Sequence, residues 1–128
     1  MRRDDEHDLA AICHLCNAIP LWGLIICSVM WLYKREKSRY LALQAQQAMY
    51  FHGLLLLVIA VWGVVELLTR LLRYLIYPLG YVLDFLNLII IGCVIVLYIC
   101  FCLWGAWQSY SGVAFRYPLV GDRPERTE

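Results

Sequence analysis

Apolar positions in this chain fall in long blocks separated by short polar ones, and the longest unbroken block runs from Ala48 to Leu68. At about 21 residues it has the length a helix needs to cross a hydrocarbon core of roughly 30 Å. Two further blocks flank it. Leu9–Tyr33 is about 25 residues, long enough to span at a rise of 1.5 Å per residue, and a third begins near Tyr81 and continues to Tyr110. The pattern predicts an all-α integral membrane helical bundle in one domain over 1–128, with spans at about 9–33, 48–68 and 81–107 and short polar tails.

The first helix carries Pro20, which removes a hydrogen bond and clashes with the preceding turn, so a kink or break is expected there. One kinked span and a re-entrant hairpin of two half-helices both fit, giving three or four membrane segments. Trp22 favours the break, because tryptophan prefers the headgroup level. Gly23 and Cys27 form a small-x-x-x-small pair that lets another helix approach closely. The second helix is expected to begin near Arg39. Steps of three and four place Ala45, Ala48, His52, Leu56, Ile59, Gly63, Glu66 and Arg70 on one face, leaving Leu54, Leu57, Val61 and Leu68 for lipid, with Glu66 and Arg70 spaced to pair. From Thr69 to Gly80 the mixture of arginines, tyrosines, Pro78 and Gly80 reads as an interfacial connector. The third helix has Asp84, Asn87, Ile91, Val94, Tyr98, Phe101 and Gly105 on one stripe, Trp104, Trp107 and Tyr110 at an interface, and Gly112 as its end, with Tyr117-Pro118 forbidding continuation.

Composition strengthens the membrane reading: 62% of the residues are hydrophobic and 16% charged, against about 45–50% and about 25% in soluble domains. A net charge of +1 leaves no footprint for nucleic acid. The acidic Met1–Asp8 stretch lacks the net positive n-region of a secretory signal and reads as a solvated tail. Lys34-Arg35-Glu36-Lys37-Ser38-Arg39 is the densest basic cluster. The positive-inside rule puts this loop, and with three spans also the C-terminus, in the cytoplasm. The expected location is the cell inner (plasma) membrane; three spans put the N-terminal tail and the Arg70/Arg73 segment outside, and a hairpin at Pro20 returns the N-terminus to the cytoplasm.

Carboxylates inside a membrane are costly, about 2.5–3.5 kcal/mol at a helix centre. Glu66 and Asp84, with Asn87, His14, His52 and Asn17, are therefore the candidate intramembrane polar contacts. They read as a proton or cation site, a subunit contact, or interfacial groups satisfied by water, Arg70 or Arg73. Cys13-His14-x-Cys16 lacks the second ligand pair of a structural zinc site, so no metal is expected. The six cysteines sit in apolar segments, where cysteine acts as a small hydrophobe. No cofactor is expected either; the alternative is a haem or chlorophyll-type pigment on His14 or His52, which a three-span topology places near opposite faces. No phosphate loop, nucleophile elbow or H-E-x-x-H helix occurs. The reading is a non-enzymatic accessory or scaffolding subunit that packs against other membrane subunits or copies of itself. A channel or carrier component lined by His52, Glu66, Asp84 and Asn87 is the alternative, and a cofactor-holding subunit of an electron-transfer or photosynthetic complex is a third.

Three spaced motifs carry a resemblance. They are His14-Leu15, Ile19-Pro20 and Trp31-Leu32 with Lys34; Gln47-Ala48-Met49-Tyr50-Phe51; and Gly112 followed by Arg116-Tyr117-Pro118-Leu119. Over about residues 9 to 119 these resemble a family of small bacterial membrane proteins of unknown function, similar to the Tic-twenty-like translocon component of the chloroplast inner envelope. Cys27, Tyr50 and His52 depart from that family's proline, asparagine and glutamine. The resemblance implies a membrane fold of three or four helices, and translocation only as a distant analogy.

Overall fold

The computed structural model describes residues 3–19 and 21–118, and among these every regular element is a helix. In order they are α1 (Arg3–Cys16), α2 (Trp22–Lys34), α3 (Arg39–Leu75) and α4 (Tyr77–Tyr110). Two helices are long and two short. The first of the three expected helices is divided where a kink or break is expected, and of the two geometries it takes the hairpin of two short helices rather than the single kinked span. α1 stops at Cys16, and the turn after it is closed by the N–H groups of Ala18 and Ile19 donating to the carbonyls of Leu15 (3.1 Å) and Cys16 (2.9 Å). Pro20 itself lies outside the described residues. Leu21 caps α2 with a φ of 66°, a conformation that costs a residue with a Cβ roughly 1–2 kcal/mol. The 13 residues of α2 reach about 20 Å at the helical rise, well short of the roughly 30 Å of a hydrocarbon core.

The chain forms two compact units. The first comprises the described parts of Met1–Leu54 and Ile99–Glu128, the second Leu55–Tyr98.

In the first unit α1 and α2 make an antiparallel hairpin, and the Gly23/Cys27 pair is what lets them close. A Cβ on Gly23 would lie 2.5 Å from the Asn17 Cα and 2.7 Å from the Cys16 carbonyl oxygen. One turn on, the Cys27 thiol donates to the Cys13 carbonyl at 3.4 Å. Ser38 then starts α3: its Oγ accepts the Leu41 N–H (3.3 Å), the N-cap bond to the third helical residue. α4 finishes at Gly112, whose φ of +78° supplies the left-handed residue of a Schellman motif. The Val113 N–H donates to the Gln108 carbonyl (3.0 Å) and the Gly112 N–H to that of Ser109 (3.1 Å).

The second unit is an α3–α4 hairpin, and its connector is far shorter than the expected interfacial stretch from Thr69 to Gly80. Only Ile76 separates the helices. Pro78 does not break α4, because it falls in the first turn, where its missing N–H has no intrahelical partner to lose. Gly80 makes the reversal tight: a Cβ there would collide with the Cβ of Arg73 and lie 2.5 Å from its Cα. Asn87 donates to Thr69 (3.1 Å) and Arg73 to Asp84 (2.7 Å) across the pair.

The expected stripe of α4 coincides with its covered face, since Asp84, Asn87, Ile91, Val94, Tyr98, Phe101 and Gly105 are all buried or half-buried. That of α3 recurs at Glu66 but is unbroken only as far as His52. Beyond it Leu56, Ile59, Gly63 and Arg70 are exposed, and the covered positions become Leu55, Val58, Trp62, Glu66, Thr69 and Arg73, a rotation of about one residue. Between Gly53 and Leu68 of α3, and along α4 after Phe85, the outward positions are predominantly apolar, among them Leu57, Val61, Leu68, Leu88 and Val96. α3 and α4 each contain an apolar window of membrane-crossing length that is only 17% buried, unlike the core helix of a soluble protein.

Candidate functional site

The first unit has a polar interior. His14, Asn17, His52 and Ser109 are wholly buried, with Gln44 and Gln47 nearly so, among small residues such as Ala10, Cys13, Ala45, Ala48 and Cys102. Small side chains let the helices approach closely, and the polar ones then bond across the gap. The Asn17 amide donates to the Ala48 carbonyl at 3.0 Å.

His14 sits at the centre. Its Nε2 is 3.0 Å from the Gln44 Oε1 and its Nδ1 2.9 Å from the Tyr117 hydroxyl. A neutral imidazole has one donor and one acceptor nitrogen. The amide oxygen can only accept, so Nε2 carries the proton and Nδ1 accepts from the phenol. Both nitrogens are thereby engaged, and neither is open to an axial iron or pigment.

Tyr117 is fully buried although it lies in an irregular segment. Its N–H donates to the Gln47 Oε1 (3.2 Å). Its ring lies on Phe51 at 3.9 Å between centroids and 13° between planes, while Phe115 meets it edge-on at 4.8 Å. Gly105 leaves room for this segment, since a Cβ there would sit 2.9 Å from the Phe115 ring. The chain after α4 is thus threaded back over α1 and α3 and held by hydrogen bonds and stacked rings.

Of the predicted residues, His14, His52, Ala48, Phe51, Gly112 and Tyr117 all lie in this unit. Trp31 is there too, half-buried against the Cys13, Cys27, Ala45 and Ala48 cluster, while Arg116 and Pro118 are exposed. Glu66, Asp84 and Asn87 belong to the second unit and each has a partner within it. Glu66 pairs with Arg70 (3.0 Å), Asp84 with Arg73 (2.7 Å) and Asn87 with Thr69 (3.1 Å). Each carboxylate has its own arginine, so the pairs are neutral and do not present a charged route. Sequence reasoning missed Gln44 altogether and the hydrogen-bonding part of Gln47. The available signal was their spacing with Ala48, Phe51 and Leu55, which puts them on one helical face.

The fold and site together define a class: an all-helical protein with two helices of membrane-crossing length, apolar outside and polar within. The chain belongs to the magnetosome magnetite crystal formation protein family, whose model matches residues 5–123. No curated protein and no solved structure matches it. The family match replaces the Tic-twenty-like resemblance, which rested on short motifs. In this structure Gly112 ends a helix, Ala48 permits close packing, and Phe51 and Tyr117 stack. Such duties arise in many small helical membrane proteins, so residues that perform them do not discriminate between families.

Proposed function

We propose that the chain is an integral membrane protein of the magnetosome, in which it serves magnetite crystal formation as a non-catalytic accessory or scaffolding subunit. The observation that carries this is the family match over residues 5–123. The outward apolar faces of α3 and α4 support residence in the bilayer, and the pairing of Glu66 with Arg70 and of Asp84 with Arg73 favours a structural part over a catalytic or conducting one. The wide apolar exterior, including Leu88, Ile90, Val96 and Leu103, suits contact with other membrane helices or further copies as well as with lipid. α3 and α4 cross the bilayer, leaving the Lys34–Arg39 turn on the cytoplasmic side by the positive-inside rule.

Deleting the gene in a magnetosome-forming host that encodes it tests the reading. Electron microscopy is expected to show magnetosome membranes that still form but enclose magnetite crystals of altered size or number. Complementation restores the original crystals. Crystals unchanged by the deletion, or a chain that leaves the magnetosome membrane on alkaline washing, would overturn the assignment.

A further inference from the structure

The turn joining α2 to α3 carries the densest basic cluster of the chain. We propose that residues 33–39 form a binding surface for the phosphate groups of anionic phospholipids, an inference that rests on the membrane reading above. Lys34, Arg35, Lys37 and Arg39 stand against the single acid Glu36. The turn is tight, with the N–H groups of Lys37 and Ser38 both donating to the Lys34 carbonyl (2.9 and 3.0 Å), and it leaves Arg35 and Lys37 exposed.

Aromatic rings position these cations. The Lys37 Nζ lies 4.6 Å from the centre of the Tyr33 ring, Lys34 Nζ 5.3 Å from the same ring, and the Arg35 guanidinium 5.3 Å from that of Trp31. A ring holds a cation through its quadrupole and brings no net negative charge, so the positive field of the turn survives the contact.

The surface leading to the turn identifies the ligand as a lipid rather than a free anion. Ile25, Val29 and Leu32 on α2 are exposed by 53%, 60% and 60%, and Tyr33 by 65%. An apolar face that ends in an aromatic ring and then in cations matches a phospholipid read from acyl chain to phosphate. Inorganic phosphate would meet only the cations.

The test uses the full chain in phosphatidylcholine vesicles containing trace spin-labelled phosphatidylglycerol or spin-labelled phosphatidylcholine, with association read by electron paramagnetic resonance. Each cation near a membrane surface contributes about 1 kcal/mol, or roughly fivefold. Wild-type protein should therefore prefer phosphatidylglycerol by at least about fivefold, less so in high salt. The Arg35→Gln, Lys37→Gln double variant should fall to near parity. The charge-conserving Arg35→Lys, Lys37→Arg variant and the distant Arg70→Gln should keep the preference, and excess inorganic phosphate should not compete. Equal association of both lipids with wild type, an unchanged preference in the glutamine variant, or displacement by inorganic phosphate would overturn the lipid site while leaving membrane residence intact. A chain that fails to enter vesicles of either composition overturns the membrane reading along with it.

Discussion

Tyr117 shows how much a single side chain can organise in this protein. Its hydroxyl donates to His14, its backbone N–H donates to the Gln47 side chain and its ring stacks on Phe51, so its hydroxyl and its ring do separable work. Tyr117→Phe keeps the stack but leaves the His14 Nδ1 without a donor, and should cost about 1–3 kcal/mol. Tyr117→Ala also removes a buried ring and should cost about 3–5 kcal/mol. Unfolding in mild detergent measures both, with ¹⁵N NMR of the His14 ring as a second readout of the Nε2–H form. Equal losses in the two variants would show that the hydroxyl contributes nothing. The sequence marks Tyr117 only as part of a short C-terminal motif, because neither hydropathy nor spacing tells a stacked ring from one at the headgroup level. Gln44 is silent for a similar reason: a glutamine in an alanine-rich helix looks like a surface residue until its neighbours are known.

At the scale of the element, helix ends with local chemistry were legible and those set by packing were not. Ser38 and Gly112 begin α3 and end α4 through their own side-chain and backbone properties. The single-residue break at Ile76 and the left-handed Leu21 depend on contacts made elsewhere, at Gly80 against Arg73 and at Gly23 against Cys16 and Asn17. The α3 stripe drifted after His52 because that helix is covered by different neighbours in each unit, and a fixed step of three and four cannot anticipate the change. Two glycines make the point measurable. Gly23→Ala would press a methyl group into the backbone of α1 and should destabilise by about 1–3 kcal/mol. Gly53 faces open space, so Gly53→Ala should be neutral, or stabilising by about 0.5–1 kcal/mol through the helical preference of alanine. Matched thermal unfolding of the two variants decides this, and a Gly23→Ala protein as stable as Gly53→Ala would mean that α1 and α2 do not close as described.

For the whole molecule the open question is the side of the N-terminus, on which two topologies differ. A first helix spanning 9–33 would put the N-terminal tail across the membrane from Lys34–Arg39. The hairpin of α1 and α2 returns it to the same side instead. Three contacts within the first unit favour the return. Cys13 meets Cys27, the His7 ring lies 5.4 Å from that of Tyr40 at the start of α3, and a Cβ on Gly112, just past α4, would lie 2.8 Å from His7. The beginning of α1, the beginning of α3 and the end of α4 therefore lie together within the first unit, the arrangement expected if α3 and α4 both cross. An N-terminal epitope tag in sealed cytoplasmic-side-out vesicles should then be cut by added protease together with a C-terminal tag, while a protease site inserted at Ile76 stays protected. Protection of the N-terminal tag alone would require α1 and α2 to cross as one span, which helices of 14 and 13 residues folded back on each other do not do.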